Sequence, residues 1–374
     1  MWKTVEGSTG RLIQLCLGYF LFYVITGVTV KYFLGSPEDG MPGMTGVEFL
    51  VYSTVGGTAV ALGVVLALRW FRMTSVRPVK VLGKSVPSEF FYIIPSGVCT
   101  AVVIPTTTLM YTLPISVMVA MVIMRGSVIV ISRGVDALQI RQGLLDKKVY
   151  WEENVAVLFA VGAVGVNVAF VGPGGFEFLE SVPALIILGS YILAYSIRIY
   201  IMNYYKNTRG KGKKLNNKAF FAIEQIAATT TLAVAALLVF RSPMLFGATG
   251  EVIEQFRGAV LHPLETWQWA IVAGMAFGGV SFFSVFLFMF KGRTATFAGL
   301  VNRLTSLVAG TTATLIFWAV YGGGFPSSEQ WVSLVLIFVA IGFLTRSERK
   351  RVAELRAAAE IEPTPVRAAG SARR

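Results

Sequence analysis

Two arginines stand alone inside long apolar runs. Arg125 lies in AMVIMRGSVIVIS (120–132) and Arg303 in AGLVNRLTSLVAG (298–310). The two windows align without a gap: Arg125 falls on Arg303, Ser127 on Thr305, Val130 on Val308 and Ala120 on Ala298. A charge at mid-bilayer depth costs at least about 3 kcal/mol, so such a residue faces a cavity or a partner. The chemistry of a guanidinium there is anion binding, by charge-assisted and often bidentate hydrogen bonds to a carboxylate or phosphate. The competing reading is structural: each arginine locks the bundle by closing on an acid, a serine or a helix carbonyl. Ser127, Asn302, Thr305 and Ser306 stand beside them as hydrogen-bonding groups, for a ligand or for the arginines themselves.

Other residues join the candidate site. Tyr195 and Arg198 lie near one helical face, with Tyr191 one turn before Tyr195. A planar ring or sugar would stack there; an aromatic belt with a snorkelling Arg198 is the alternative. Glu224 and Glu48 are candidates for a coupling or ion-pairing carboxylate, since desolvation raises a carboxyl pKa and a nearby cation lowers it. Both also lie near helix starts, where a carboxylate complements the helix dipole. Lys31 ends the first apolar run as an interfacial anchor.

Long apolar segments must position these residues. The chain has 374 residues, 55% of them hydrophobic, and a mean hydropathy of +0.67. Runs of about 20 apolar residues, enough to cross a bilayer, recur throughout. The pattern predicts ten transmembrane helices near 12–34, 47–70, 88–109, 114–135, 154–171, 183–205, 219–240, 267–290, 295–319 and 330–345. The fold class expected is therefore all-α integral membrane. Loops rich in Pro and Gly (35–46, 172–178) punctuate one face. Small residues such as Gly56, Gly57, Gly274 and Gly278 permit close helix contact.

The net charge of +13 is a topology signal. Of 33 Lys and Arg, 27 fall in alternate loops and tails, three in the opposite loops and three within helices. That bias predicts a multi-pass protein with both termini cytoplasmic. The basic loop 206–214 and the stretch 346–351 are expected to touch anionic lipid head groups, and no nucleic-acid partner is expected. Cys16 and Cys99 have no metal spacing and no disulfide framework. With one histidine (His262), no Walker loop and no paired nucleophile and base, neither an enzyme nor a cofactor or metal site is expected. Asp136 and Asp146, among basic residues, lack a paired motif.

Five helices and five helices make two halves, and an odd number per half makes them antiparallel. The expected organisation is a cytoplasmic N-terminus (1–11), a first repeat (12–171), an inverted second repeat (183–345) and a basic tail (346–374). The start of that tail, SERKRVAELRAAAE, would continue as helix and its end would be disordered.

Ten helices in two inverted halves resemble the drug/metabolite transporter superfamily, the EamA-like fold. MVIMRGSVIVIS (121–132) is similar to the fourth helix of branches that include nucleotide-sugar transporter relatives and chloroquine-resistance-type transporters, and ITGVTVKYF (25–33) resembles the end of their first helix. The architecture match spans 12–345. The end of the fourth helix departs from the proline and glutamate pair of many bacterial members. The resemblance implies a secondary transporter or exchanger of a small polar metabolite. The arginines add an expectation of negative charge on it. A scaffold or receptor-like protein on the same fold, inactive in transport, is the alternative.

Overall fold

The structure, a computed structural model, describes residues 8–73, 78–81, 83–112, 117–145, 149–169, 180–209 and 215–361. The expected disordered end (362–374), the loop 172–178, Asp146 and part of the basic loop (210–214) lie outside the described residues.

The described residues form eleven α-helices: α1 (Thr9–Leu34), α2 (Gly46–Ala67), α3 (Phe90–Thr112), α4 (Val117–Arg141), α5 (Trp151–Ala169), α6 (Val182–Thr208), α7 (Asn217–Phe246), α8 (Glu251–Leu261), α9 (Trp267–Phe288), α10 (Ala295–Tyr321) and α11 (Ser328–Ile361). Eight of them, all but α4, α5 and α8, are long and apolar enough to cross a membrane, counted over the described residues. This is a multi-pass, all-α membrane architecture.

The sequence predicts ten spans; α4 and α5, expected at 114–135 and 154–171, are not among these eight, counted over the described residues. Two further elements depart from the sequence expectation. The predicted loop between the seventh and eighth spans holds α8, a helix of 11 residues with Glu251 and Glu254 in its first turn. It alternates charged and apolar positions, so a search for uniformly apolar stretches passes over it. The second is a short hairpin, β1 (Pro78–Val81) against β2 (Lys84–Pro87), turned at Gly83 with φ +78°. Glycine supplies that left-handed conformation without a Cβ clash.

The helices pack in a definite pattern. α2 lies along α9, and α3 along α7. α1 meets α9 and α10, while α6 meets α3 and α4. α4 packs on α10 and α5 on α11. Close approach depends on glycine: a Cβ at Gly56 or Gly274 would collide with the facing backbone of α9 or α2. Gly97 does the same for α3 against α7, where a Cβ would lie 2.6 Å from the Glu224 carbonyl oxygen. Without a hydrophobic drive between helices in lipid, such close backbone contact is a main source of cohesion.

The start of α1 meets α11 on one face, where Thr9 Oγ1 donates to Glu348 Oε1 at 3.1 Å. The loops on that face are stitched together. Lys206 Nζ donates to the Phe288 carbonyl (3.1 Å) and Asn217 Nδ2 to that of Met289 (3.3 Å), capping the end of α9. Glu152 pairs with Lys350, Arg293 with Glu348, and Arg351 donates to the Gly292 carbonyl. Burial, with the Glu354 carboxylate beside it, pushes the Tyr150 phenol up to about 12. The phenol therefore keeps its proton and donates it to Glu354 at 2.5 Å. The predicted helical start of the tail is present, since α11 runs on to Ile361 and supplies these contacts.

Candidate functional site

The site is built where α4 and α10 cross. Every residue of α10 from Ala295 to Leu304 is buried, so this half of the helix has protein on all sides. Its N-terminus is fixed from outside itself. Asp136 of α4 accepts from the amides of Ala295 (2.8 Å) and Thr296 (2.6 Å), satisfying donors that a helix start leaves open. Thr294 caps the same end by accepting from the Phe297 amide at 3.1 Å. Thr294 and Ser347 donate in turn to Glu153 at 3.0 and 3.1 Å. Sequence reasoning passed over Asp136 as a structural anchor, because its amide partners lie 159 and 160 residues away.

Further along, α4 and α10 touch through glycines. A Cβ at Gly299 would collide with the Ser132 side chain. A Cβ at Gly310 would lie 3.2 Å from one terminal nitrogen of Arg125 and 3.6 Å from the other. Arg125 therefore lies along α10, and its exposure is only 7%. Arg303 is equally buried at 6%. Its guanidinium sits 5.1 Å from the centre of the Tyr195 ring, a cation–π contact. Tyr19, Tyr23, Tyr191 and Tyr195 all lie within its electrostatic reach. The Nε of Arg303 has no hydrogen-bond partner. Among the described residues no carboxylate comes within ion-pair distance of Arg125 or Arg303, and residues 110–123, whose side chains are not described, include no acid.

Arg198 is different. Its Nε meets Glu224 Oε1 at 2.9 Å and its Nη2 meets Oε2 at 3.2 Å, a bidentate pair between α6 and α7. Ser96 and Thr100 of α3 donate to the same Oε1 at 2.7 and 3.2 Å. Glu224 is fully buried and Arg198 nearly so. Four hydrogen bonds converge on this carboxyl group and join α3, α6 and α7. Its expected ion pair is present, with Arg198 as the partner. That arrangement leaves neither group available to a ligand.

The other expected site residues divide. Tyr195 reaches the arginine site, its ring centre 4.8 Å from that of Tyr191 with the planes tilted by 56°; the Tyr191 hydroxyl donates to the Met124 carbonyl beside Arg125. Asn302 is committed on both sides: it accepts from Tyr19 (3.4 Å) and donates to Ser284 (3.1 Å). Ser127 and Ser306 donate back to carbonyls of their own helices, at Met124 and Arg303. Thr305 bonds Cys16 of α1. Glu48 is far from this cluster in role: with Thr45 it closes a capping box at the start of α2, Thr45 N to Glu48 Oε2 at 2.8 Å and Glu48 N to Thr45 Oγ1 at 3.2 Å. Lys31 donates to Thr314 of α10 at 2.9 Å, above the arginines. The residues that sequence reasoning missed are Tyr19, Gly299 and Gly310; none carries a charge, and only the helix crossing brings them to the arginines.

A groove of about 410 Å³ between α2 and α7, lined by Leu62, Ile226, Thr230 and Val234 among others, is apolar and peripheral. It offers no charged group to a polar ligand.

No protein-family model and no curated protein matches the chain. Twenty solved chains match it in structure. One, described only as "Crystal structure of protein", superposes with a TM-score of 0.54 at 15% identity, over 92% of this chain and 99% of its own length. At that identity the likeness shows the fold alone.

Proposed function

We propose that the protein is a secondary transporter or exchanger that moves a polar, anionic organic metabolite across a membrane by alternating access. The observation that carries this reading is the pair Arg125 and Arg303, both more than nine-tenths buried at the α4–α10 crossing and both without a carboxylate partner among the described residues. An uncompensated buried charge is costly, and a counter-ion from solution is what relieves it. A scaffold that had given up transport would close each arginine on an acid. Arg198 is closed in that way by Glu224; the other two are not.

The helix pairing supports two inverted halves, 12–171 and 183–345, with α1–α5 matching α6, α7, α9, α10 and α11. Under that match the contacts α2–α9 and α3–α7 exchange, as do α1–α9 with α3–α6 and α1–α10 with α4–α6, while α4–α10 and α5–α11 each map onto themselves. Arg125 and Arg303 then occupy equivalent places on either side of the site. Membership of the drug/metabolite transporter superfamily fits this arrangement. The stitched face carries the basic residues Lys206, Arg293, Lys350 and Arg351, and the loop-by-loop Lys and Arg count supports assigning it to the cytoplasm and to anionic lipid heads. Asp136, Glu153 and their partners hold that end of the bundle shut, and they are the contacts an inward-opening step breaks. Glu224, held by Arg198, Ser96 and Thr100, serves as a strut between α3, α6 and α7.

A thermal-unfolding screen of the purified protein tests the charge of the ligand. Carboxylated or phosphorylated metabolites are expected to raise the unfolding temperature by mass action, by about 2.7 kcal/mol of added stability at a hundredfold excess over Kd. Stabilisation by organic cations and by no anion would overturn the reading.

A further inference from the structure

The two arginines do not converge on one point. Arg125 places its terminal nitrogens against α10 at Gly310. Arg303 starts seven residues earlier on the same helix, on nearly the same face, because seven residues make close to two turns. Two turns are about 10 Å of axial rise. Helical side chains lean toward their own N-terminus. That lean carries the Arg303 guanidinium away from Gly310 and onto the Tyr195 ring, 5.1 Å from its centre. Tyr19 of α1 lies within electrostatic reach of both guanidinium groups.

The charge balance of that site is also fixed. Arg198 and Glu224 cancel as a pair. Arg125 and Arg303 remain, each more than nine-tenths buried, with the Arg303 Nε unpartnered. What remains is two positive charges separated along one helix face. A single carboxylate or phosphate keeps its oxygens on one atom. It serves one guanidinium and leaves the other, about 10 Å along the helix, uncompensated.

We propose that Arg125 and Arg303 form the two ends of one elongated site that takes a short linear dianion with a charged group at each end, of the α,ω-dicarboxylate or phosphocarboxylate kind. One acid group meets each guanidinium, with the Tyr195 ring beside the Arg303 end. This rests on the anion-transport reading above and specifies its substrate class.

Calorimetric titration of the full-length protein in nanodiscs tests it, with succinate, glutarate and adipate against butyrate, valerate and inorganic phosphate at matched ionic strength. At least one dicarboxylate is expected to bind about tenfold or more tighter than the monocarboxylate of equal length. In Arg125→Gln or Arg303→Gln that gap is expected to shrink to about threefold or less. Equal binding of mono- and dicarboxylates by the wild type, or phosphate binding tighter than every dicarboxylate, overturns the two-ended site and leaves anion transport standing. Binding of organic cations with no anion bound overturns both. The wild-type series decides alone if a variant does not fold.

Discussion

Glu224→Ala is expected to lower the stability of the purified protein by about 3–5 kcal/mol, because it leaves Arg198 buried with no counter-charge. The same substitution strands the hydroxyls of Ser96 and Thr100, which now donate to that carboxylate. Removing both charges is expected to cost far less than removing one: Arg198→Met with Glu224→Leu should recover most of the loss, since an apolar pair of similar volume replaces a buried ion pair at little net cost. Arg303→Gln is the informative contrast. It deletes a buried charge that has no acid partner, so the unfolding temperature should stay level or rise. The check is thermal or denaturant unfolding of the four proteins in one detergent. A loss at Arg303→Gln as large as that at Glu224→Ala would mean that Arg303 is a structural strut like Arg198.

The second large effect concerns ligand affinity. Arg125→Gln and Arg303→Gln are each expected to weaken binding of the anionic ligand by about 10- to 150-fold, the equivalent of one charge-assisted contact of about 1.5–3 kcal/mol. Arg303→Lys should fall between: the ammonium keeps the charge but not the planar fork, and it stacks less well on Tyr195. Asn302→Ala should act differently. Its amide links α1 and α9 through Tyr19 and Ser284, so the variant is expected to lose stability more than affinity. Competition binding with one labelled anion across the series reads all four values.

Much of this arrangement was legible in the sequence, and the reasons it was are physical. A helix in lipid must be apolar over its full length, so the long spans declare themselves, and a lone arginine inside one is conspicuous at once. The amphipathic α8 and the Gly83 hairpin lack that signal and pass for loop in the sequence. Partner choice was harder. Arg198, Arg125 and Arg303 look alike as residues, yet only Arg198 meets an acid. The difference is set by Gly97, which lets α3 and α7 approach until Ser96, Thr100 and Glu224 share one point with α6. Glu48 and Glu224 also look alike, each near a helix start. Thr45 turns the first into a cap, whereas the second, eight residues into α7 and deep in the bundle, becomes the partner of Arg198. Asp136 reads as one acid in a basic loop and proves to hold the end of α10. Such roles depend on contacts across more than a hundred residues of chain, which spacing along one helix does not encode.

We propose above all that two buried arginines, without a carboxylate partner among the described residues, bind an anion that the protein then carries across the membrane. Uptake of a labelled, membrane-impermeant dicarboxylate into proteoliposomes preloaded with the same unlabelled compound measures this most directly. The account predicts saturable uptake by the wild type, accelerated by the internal anion, and reduced to near the protein-free level in Arg125→Gln and Arg303→Gln vesicles that hold equal amounts of folded protein. Equal uptake by the wild type and by both glutamine variants would contradict it.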